Sequence, residues 1–389
     1  VNRGKSKDIT MTFKDCKFPE NPKDIYVYLG GTYQWQTNYG SSQVGVPEKV
    51  SFTFEGGTNV PTVGVSSGLD VADVTVTGAK ASIDSVLVNV DDKTKKETWL
   101  KTFTLGAGKT WTFNDGLSMA SGVTLTKTGT LKYGKSFEAD VKTLAEMKNA
   151  LGIVNAGDES IANTINLNAD LVVPSDKDTW TATFNDMGYY YRILKPVTIN
   201  GNGKSISGTF PTDVTKKYVI TADYSGDKAI TINDLTIEKT NATALNITWP
   251  KNVILNNVTL NENEAGALNI NSAVVRATNL QTAGNRVGVR IQNQNSTDHT
   301  LPHFELVSGT LKDTVQIAFH DRTLAGNEGG EAITDYDALV TLPKDGGYIK
   351  TWRNAELKAG KKAIVRVWAN SRFATEYVSN NATVQLDSI

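Results

Sequence analysis

The 389-residue chain has one cysteine, Cys16, three histidines and four methionines. A single cysteine excludes an intramolecular disulfide and a thiolate-rich metal site. No stretch approaches 18 continuous apolar residues, which excludes a transmembrane helix. Neither sign of charge is in excess, with 40 Lys and Arg against 41 Asp and Glu. Electrostatics therefore gives no basis for nucleic acid or membrane insertion among the partners. Proline is scarce, at ten residues, while glycine reaches 33. Charged residues are 21% and hydrophobic ones 39%, so the chain is not a disordered one. Thr and Asn recur throughout; Thr favours strands, while Asn and Gly serve tight turns. A low-cysteine, near-neutral chain rich in Thr, Asn and Gly has the composition of a bacterial exported protein, secreted or held at the cell surface. Its start, Val1-Asn2-Arg3-Gly4-Lys5, suits a processed chain or an excised fragment.

The second half repeats. The segments ITINDLTI (230–237), VILNNVTL (253–260) and VRATNL (275–280) follow one another at offsets of 23 and 22 residues. A second register moves with them: ALNI at 244–247 returns at 267–270, and VGVRI follows at 287–291. Each period carries at least two short strands joined by Asn or Gly turns. A strand of four or five residues cannot bury its apolar face alone. A chain that returns to the same angular position every 22–23 residues pairs each strand with its copy one coil away, at ordinary interstrand spacing. The pattern predicts a parallel β-helix, a solenoid in which Ile232, Leu235 and Ile237 stack on Leu255, Val258 and Leu260. Asp234, Asn257 and Asn279 fall at one equivalent turn, where short polar side chains tolerate left-handed backbone. Stacked, they form a polar ladder. Right-handed winding is the rule for parallel crossovers.

Ahead of the coils, Leu144, Met147 and Leu151 have helical spacing and end at Gly152. Thr143 and Glu146 match a capping box. A short helix here predicts a cap over the solenoid's apolar end. The succession TLAEMKNAL (143–151), INLNADLVV (165–173), KPVTINGNGKSISG (195–208) and the ITINDLTI-type coils resembles the entry to the pectate-lyase-like right-handed β-helix. It is most similar to the non-catalytic, adhesive versions in large bacterial surface proteins. The resemblance covers roughly residues 139–389 and speaks to fold more than to function. The same superfamily includes polysaccharide lyases, glycoside hydrolases and phage tailspikes.

Residues 1–138 are read as a second β-rich segment, β-helix-like with a small β end, and 139–389 as the β-helix with its capping helix. Segments such as Ile9–Phe18, Val50–Phe54 and Val71–Val76 share the strand–turn–strand grammar, with Ser85–Val90 as the second strand of a coil. Shorter runs (99–105, 109–113, 123–127 and 130–133) have hairpin-like spacing, so a β-sandwich competes. Polar insertions at 293–302 and 322–337 interrupt the period. Loops of that kind project from a solenoid and often carry its binding surface.

The candidate ligand-binding residues form two groups. Tyr26, Tyr28, Tyr33, Trp35 and Tyr39 lie in a polar, Gly-rich stretch, and aromatic faces stack on sugars and on proteins alike. Alternation along a strand turns half of such residues inward, and a similar run, Tyr189-Tyr190-Tyr191, sits near the expected cap. His299, His303 and His320 fall within one coil length, which suits metal binding or acid–base work. Their spacing matches no metal motif. Arg276, Arg286 and Arg290 suggest a basic stripe that Glu262 and Glu264 neutralise.

The resemblance implies, for uronate lyases, Asp or Glu ligands to Ca²⁺ on consecutive coils with a Lys or Arg base. The matching column reads Asp234, Asn257 and Asn279, so that carboxylate cluster is missing. The leading expectation is a non-enzymatic extracellular or cell-surface module, an adhesin or structural protein, able to stack end to end. Its partner is a host or bacterial surface glycan or protein. No catalytic residue, resident metal or cofactor is assigned, with Ca²⁺ left open. The alternative is a polysaccharide lyase or glycoside hydrolase of the same fold.

Overall fold

The computed structural model describes residues 8–20, 27–29, 49–65, 73–91, 93–177, 189–212, 217–292, 302–313, 315–320, 340–341, 349–350, 356–357, 364–369 and 373–378. The chain divides into two compact units, Val1–Asn166 and Leu167–Ile389. The fold is a parallel β-helix, and its sheets are built from strands that recur once per coil.

In the first unit, Asp8–Lys14, Lys49–Glu55, Asp73–Thr77, Thr110–Phe113 and Thr130–Tyr133 form one parallel sheet. Val27–Leu29, Val63–Val65, Ala81–Ile83, Leu117–Met119, Ser136–Val141 and Ala162–Leu167 line a second face. Thr102–Leu105 and Thr124–Lys127 pair in parallel on a third. Alternation and register together build the core. Val50, Val74 and Trp111 stack in one inward column, and Phe52, Val76, Phe113 and Tyr133 in the next, all buried. Parallel pairing rules out the sandwich, and it corrects the hairpin reading. Thr110–Phe113 and Thr130–Tyr133 are not arms of one hairpin but the same position in successive coils. The described hairpin of this unit joins Val86–Val90 to Glu97–Leu100. Residues 86–90 are thus one of its arms, and Ala81–Ile83 supplies the coil's second strand.

The helix α1 (Leu144–Ala156) starts where expected but runs through Gly152, where the sequence pattern ended it, to a C-cap at Gly157. Thr143 Oγ1 accepts from the Glu146 amide, satisfying one of the donors that a helix start leaves open. The returning bond of the box is displaced by one residue: Glu146 accepts from the Lys142 amide. The α1 helix stands where a third-face strand would follow Ser136–Val141. Asn149 completes the substitution. Its side-chain amide donates to Leu125 O at 2.7 Å and accepts from Leu125 N at 3.2 Å, as a neighbouring strand would. Tyr133, pushed up to about 12 by burial and by the charge of Asp158, donates to Ile153 O in the same helix. The helix thus caps a sheet edge, and the edge it covers belongs to the first unit.

The second unit has three faces. One holds Thr198–Asn200, Ile230–Asn233, Val253–Asn256, Val274–Thr278, His303–Leu306 and Val340–Thr341. The next holds Leu171–Val173, Ser205–Gly208, Thr236–Glu238, Thr259–Asn261, Leu280–Ala283 and Gly309–Lys312. The third, called the long-strand face below, holds Tyr189–Ile193, Tyr218–Asp223, Thr243–Thr248, Gly266–Asn271, Val287–Gln292, Val315–His320 and Ile364–Ala369. There Phe373–Val378 closes the sheet by antiparallel pairing. Inward columns run as the repeat predicts: Ile232 on Leu255, Ile237 on Leu260, Leu245 on Leu268, all buried.

Every corner of the regular coils turns through a residue with positive φ. Asp234, Asn257 and Asn279 (51–54°) mark the first corner, and Lys239, Glu262 and Gly284 (53–70°) the second. Trp249 and Ser272 (76° and 42°) mark the third. Left-handed backbone costs an ordinary residue about 1–2 kcal/mol. That cost is offset because the corner amides bond the next coil: that of Asn279 donates to Ser308 Oγ (2.8 Å), and the others donate to carbonyls, as in Asp234 N to Asn256 O (2.9 Å) and Lys239 N to Asn261 O (3.1 Å).

Replacing Asn149 by Ala strips the edge of Thr124–Lys127 of its side-chain partner. The expected loss is about 1–3 kcal/mol, the usual cost of leaving a buried amide and carbonyl unpaired. Hydrogen exchange should show faster exchange at the Leu125 amide and little change in the second unit.

Candidate functional site

The outer face of a β-helix strand is where a ligand meets regular, repeated side chains. On the long-strand face, register aligns Arg192, Thr221, Asn246, Asn269 and Arg290 in one outward column. Asp223, Thr248, Asn271 and Gln292 form the next. Arg192 and Asp223 pair at 2.7 Å through Nη2 and at 3.2 Å through Nε. Deeper in the stack the polar groups are almost fully buried: Asn246 and Thr248 are 7% exposed, Asn269 and Asn271 4%.

Their hydrogen bonds run from coil to coil. Asn246 Nδ2 donates to Thr221 Oγ1 (2.7 Å) and to Thr248 Oγ1 (3.3 Å). Asn246 Oδ1 accepts from Asn269 (2.8 Å) and Asn271 (2.9 Å), and Asn271 also donates to Thr248 (3.0 Å). Asn246 is therefore the hub of the network. The Oδ1 atoms of Asn269 and Asn271 are buried and accept nothing among the described residues. Burial lowers the pKa of Arg290.

Three more ladders hold the coils together. At the first corner, Asn257 donates to Asp234 (2.9 Å), Asn279 to Asn257 (3.0 Å) and Gln281 to Asn279 (2.9 Å). The expected turn ladder is thus present, and its side chains are engaged with one another. Beside it, Asn256 donates to Asn233 and Asn233 to Asn200, both at 2.9 Å.

The third ladder is buried and was not foreseen. Thr240 donates to Asn263 Oδ1 (2.8 Å), and the Asn263 amide donates to Asn285 Oδ1 (2.8 Å). Asn285 then donates to Asp313 Oδ1 through its backbone (3.0 Å) and its side chain (2.6 Å). Thr282 takes an aliphatic place in the column of Ile237, Leu260 and Leu311, and its hydroxyl bonds the other oxygen of Asp313. Burial raises the pKa of Asp313, while the bonds from Thr282 and Asn285 pull the other way.

The predicted residues distribute differently. Tyr26, Tyr33, Trp35, Tyr39 and His299 lie outside the described residues. Tyr28 is in strand Val27–Leu29, whose side chains are likewise undescribed. His303 opens strand His303–Leu306 opposite Val274, half-buried. His320 ends strand Val315–His320 on the long-strand face, opposite Gln292. The two therefore stand on different faces of one coil. Among the described residues, no three of His, Cys, Asp and Glu group so as to hold a metal ion.

The Arg stripe is corrected. Arg276 and Arg290 belong to different faces, and Arg276 pairs with Glu305 at 3.0 Å rather than with Glu262 or Glu264. Tyr190 and Tyr191 are core residues, with Tyr190 edge-on to Phe210 at 4.3 Å.

Sequence reasoning missed Trp99. It is 44% exposed on the arm Glu97–Leu100 of the first unit's hairpin, its indole donating to Glu97 at 3.0 Å. The turn is fixed by Asp91, whose carboxylate accepts from the amides of Thr94 and Lys93. Those bonds hold its pKa below the ordinary 3.8. Lys93, Lys95 and Lys96 surround the turn, all exposed. Trp99 gives this hairpin an exposed indole face, and the lysines give its turn cationic charge.

No family model matches the chain, and neither the curated proteins nor the solved structures contain a match.

Two substitutions test the ladders. Asn246→Ala orphans the buried Nδ2 of Asn269 and leaves that of Asn271 with Thr248 alone. It should cost about 1–3 kcal/mol in denaturant unfolding, the usual cost of one buried group left unpaired. Asp313→Asn continues the Asn263–Asn285 ladder without a buried charge and should be neutral or stabilising at pH 7. The native state holds the Asp313 proton more tightly than the unfolded chain does. The wild type should therefore gain stability relative to Asp313→Asn as pH falls through the raised pKa, levelling off near 3.8. Thermal melts of both proteins from pH 7 to pH 4 measure this.

Proposed function

We propose that the chain is a non-enzymatic β-helix module, secreted or held at the cell surface, that acts as an adhesin or structural element. The observation that carries this reading is the use of the repeated polar side chains. Columns that could carry reacting groups instead carry side chains bonded to one another, amide to amide from Asn200 through Asn256, and amides ending on one carboxylate from Asn279 through Asp234. Such columns stiffen the stack and present a chemically uniform surface. On the long-strand face Asp223 is engaged by Arg192 rather than left to act as a base or metal ligand.

The resemblance to the adhesive type of pectate-lyase-like β-helix points the same way. A surface glycan or protein is the partner that this chemistry fits. Exposed Trp99, with its lysines, is the described contact best suited to it, and the aromatic segment holding Tyr26, Tyr28, Tyr33, Trp35 and Tyr39 is a second.

The test is to probe the full chain on a glycan array and on intact bacterial and host cells. Parallel polysaccharide digests, with and without Ca²⁺, are read for reducing ends and unsaturated products. Binding without turnover is expected, with Trp99→Ala weakening it at least fivefold while leaving the melting curve unchanged. Release of unsaturated or reducing ends above background would sink the reading in favour of a lyase or hydrolase.

A further inference from the structure

The turn that joins Val86–Val90 to Glu97–Leu100 is closed by its own backbone. The Lys95 amide donates to Asp91 O at 2.8 Å and the Asp91 amide to Lys96 O at 2.9 Å, with Lys95 in left-handed conformation at φ 55°. The Asp91 carboxylate is turned onto the amides of Thr94 and Lys93, at 2.7 and 2.9 Å. Glu97 and Trp99 are two residues apart on one strand and so project to the same side, where the indole N–H donates to Glu97 Oε2 at 3.0 Å. Asp91 and Glu97 are thus used inside the hairpin. Lys93, Lys95 and Lys96 are not: all three are exposed, and none is held in an ion pair among the described residues. By contrast, Lys135, Arg192, Lys251 and Arg276 each meet a carboxylate.

Each of these observations specifies part of a ligand. Because the indole N–H is tied to Glu97, Trp99 offers its face and not its donor, which suits stacking on a flat-sided ring. The second oxygen of Glu97 stands beside that face as an acceptor, which suits ring hydroxyls. A pyranose meets both requirements. The unneutralised ammonium groups begin three residues away, about 10 Å along the strand, and call for anionic groups on a ligand long enough to reach them. The turn is closed in advance, so little ordering cost falls on binding. A bilayer fits less well. The Glu97 carboxylate is repelled by anionic headgroups, and one indole buries too little apolar area to anchor a membrane surface.

We infer that this hairpin binds an anionic polysaccharide, with one sugar ring stacked on Trp99 and nearby carboxylate or sulfate groups paired with Lys93, Lys95 and Lys96. The inference rests on the adhesin reading and narrows its ligand from glycans in general to charged ones.

The experiment measures binding of the full chain to dextran, carboxymethyl-dextran and dextran sulfate, three forms of one polymer, at low and high salt. The charged forms should bind about tenfold more tightly than dextran, the increment of three exposed ion pairs. Rising salt should erase that difference. The tighter of the two charged forms names the anionic group. Lys93→Gln, Lys95→Asn and Lys96→Gln are combined, Asn being chosen because it tolerates left-handed backbone. The triple variant should bind all three polymers as the wild type binds dextran. Trp99→Ala should weaken binding to all three alike, and Trp99→Phe should restore most of it. The salt dependence of the wild type needs no variant, so the inference stays testable if a substitution disturbs the hairpin. Equal affinity for charged and neutral polymers overturns it. Equal or tighter binding to poly-L-glutamate or to anionic lipid vesicles also overturns it, by making the hairpin a site for acidic protein or membrane. Attachment to glycans or cells that the triple variant leaves untouched overturns the inference and leaves the adhesin reading standing. Cleavage of the polymers counts against that reading instead, and is seen as new chain ends rather than as lost binding.

Discussion

In-register pairing of each strand with its copy one coil away is the constraint on which the rest of the molecule depends. Side chains alternate with a period of two, so a slip of one residue would turn every core residue to solvent. Register is held because every inward position must find an aliphatic or aromatic partner above and below it. Leu245 on Leu268 and Val76 on Phe113 are two instances among many. The same pairing sustains the corners. Lys239, Glu262 and Trp249 have no intrinsic liking for positive φ, yet adopt it because their amides find carbonyls in the next coil.

Asparagine suits this architecture for a chemical reason. An amide donates on one side and accepts on the other, so identical residues propagate a chain of bonds without accumulating charge. A carboxylate only accepts and can stand only at the accepting end. Both aspartates of these ladders obey that rule. Asp234 receives from Asn257 at one end of the turn ladder, and Asp313 receives from Asn285 at the end of the buried one. Asp313 is the costlier of the two because its charge lies out of water. The network on the long-strand face centres on Asn246, whose oxygen and nitrogen are both fully used.

These ladders bear on function through stiffness and surface chemistry. A scaffold whose repeated polar groups bond one another spends those groups on the stack itself. The hairpin that carries exposed Trp99 is what distinguishes one part of the first unit's surface from the regular coils.

The 22–23-residue repeat, the inward columns, the positive-φ turn at Asp234, Asn257 and Asn279, and the capped helix at Thr143 were legible in the sequence. Each depends on local spacing or on a residue's own backbone preference. What the helix covers was not legible, because Asn149 and Leu125 meet only after the coil closes. In the first unit, runs with hairpin spacing proved to be successive coils, since short strands and tight turns look alike whether the partner is adjacent or one coil away. The buried ladder ending at Asp313 was hidden for the same reason: its members lie 22–28 residues apart, and nothing local marks them as inward. Sequence by itself determined the period and the faces of the strands. Tertiary structure decided which polar residues are buried and bonded, because burial belongs to the stacked coils and not to any single one of them.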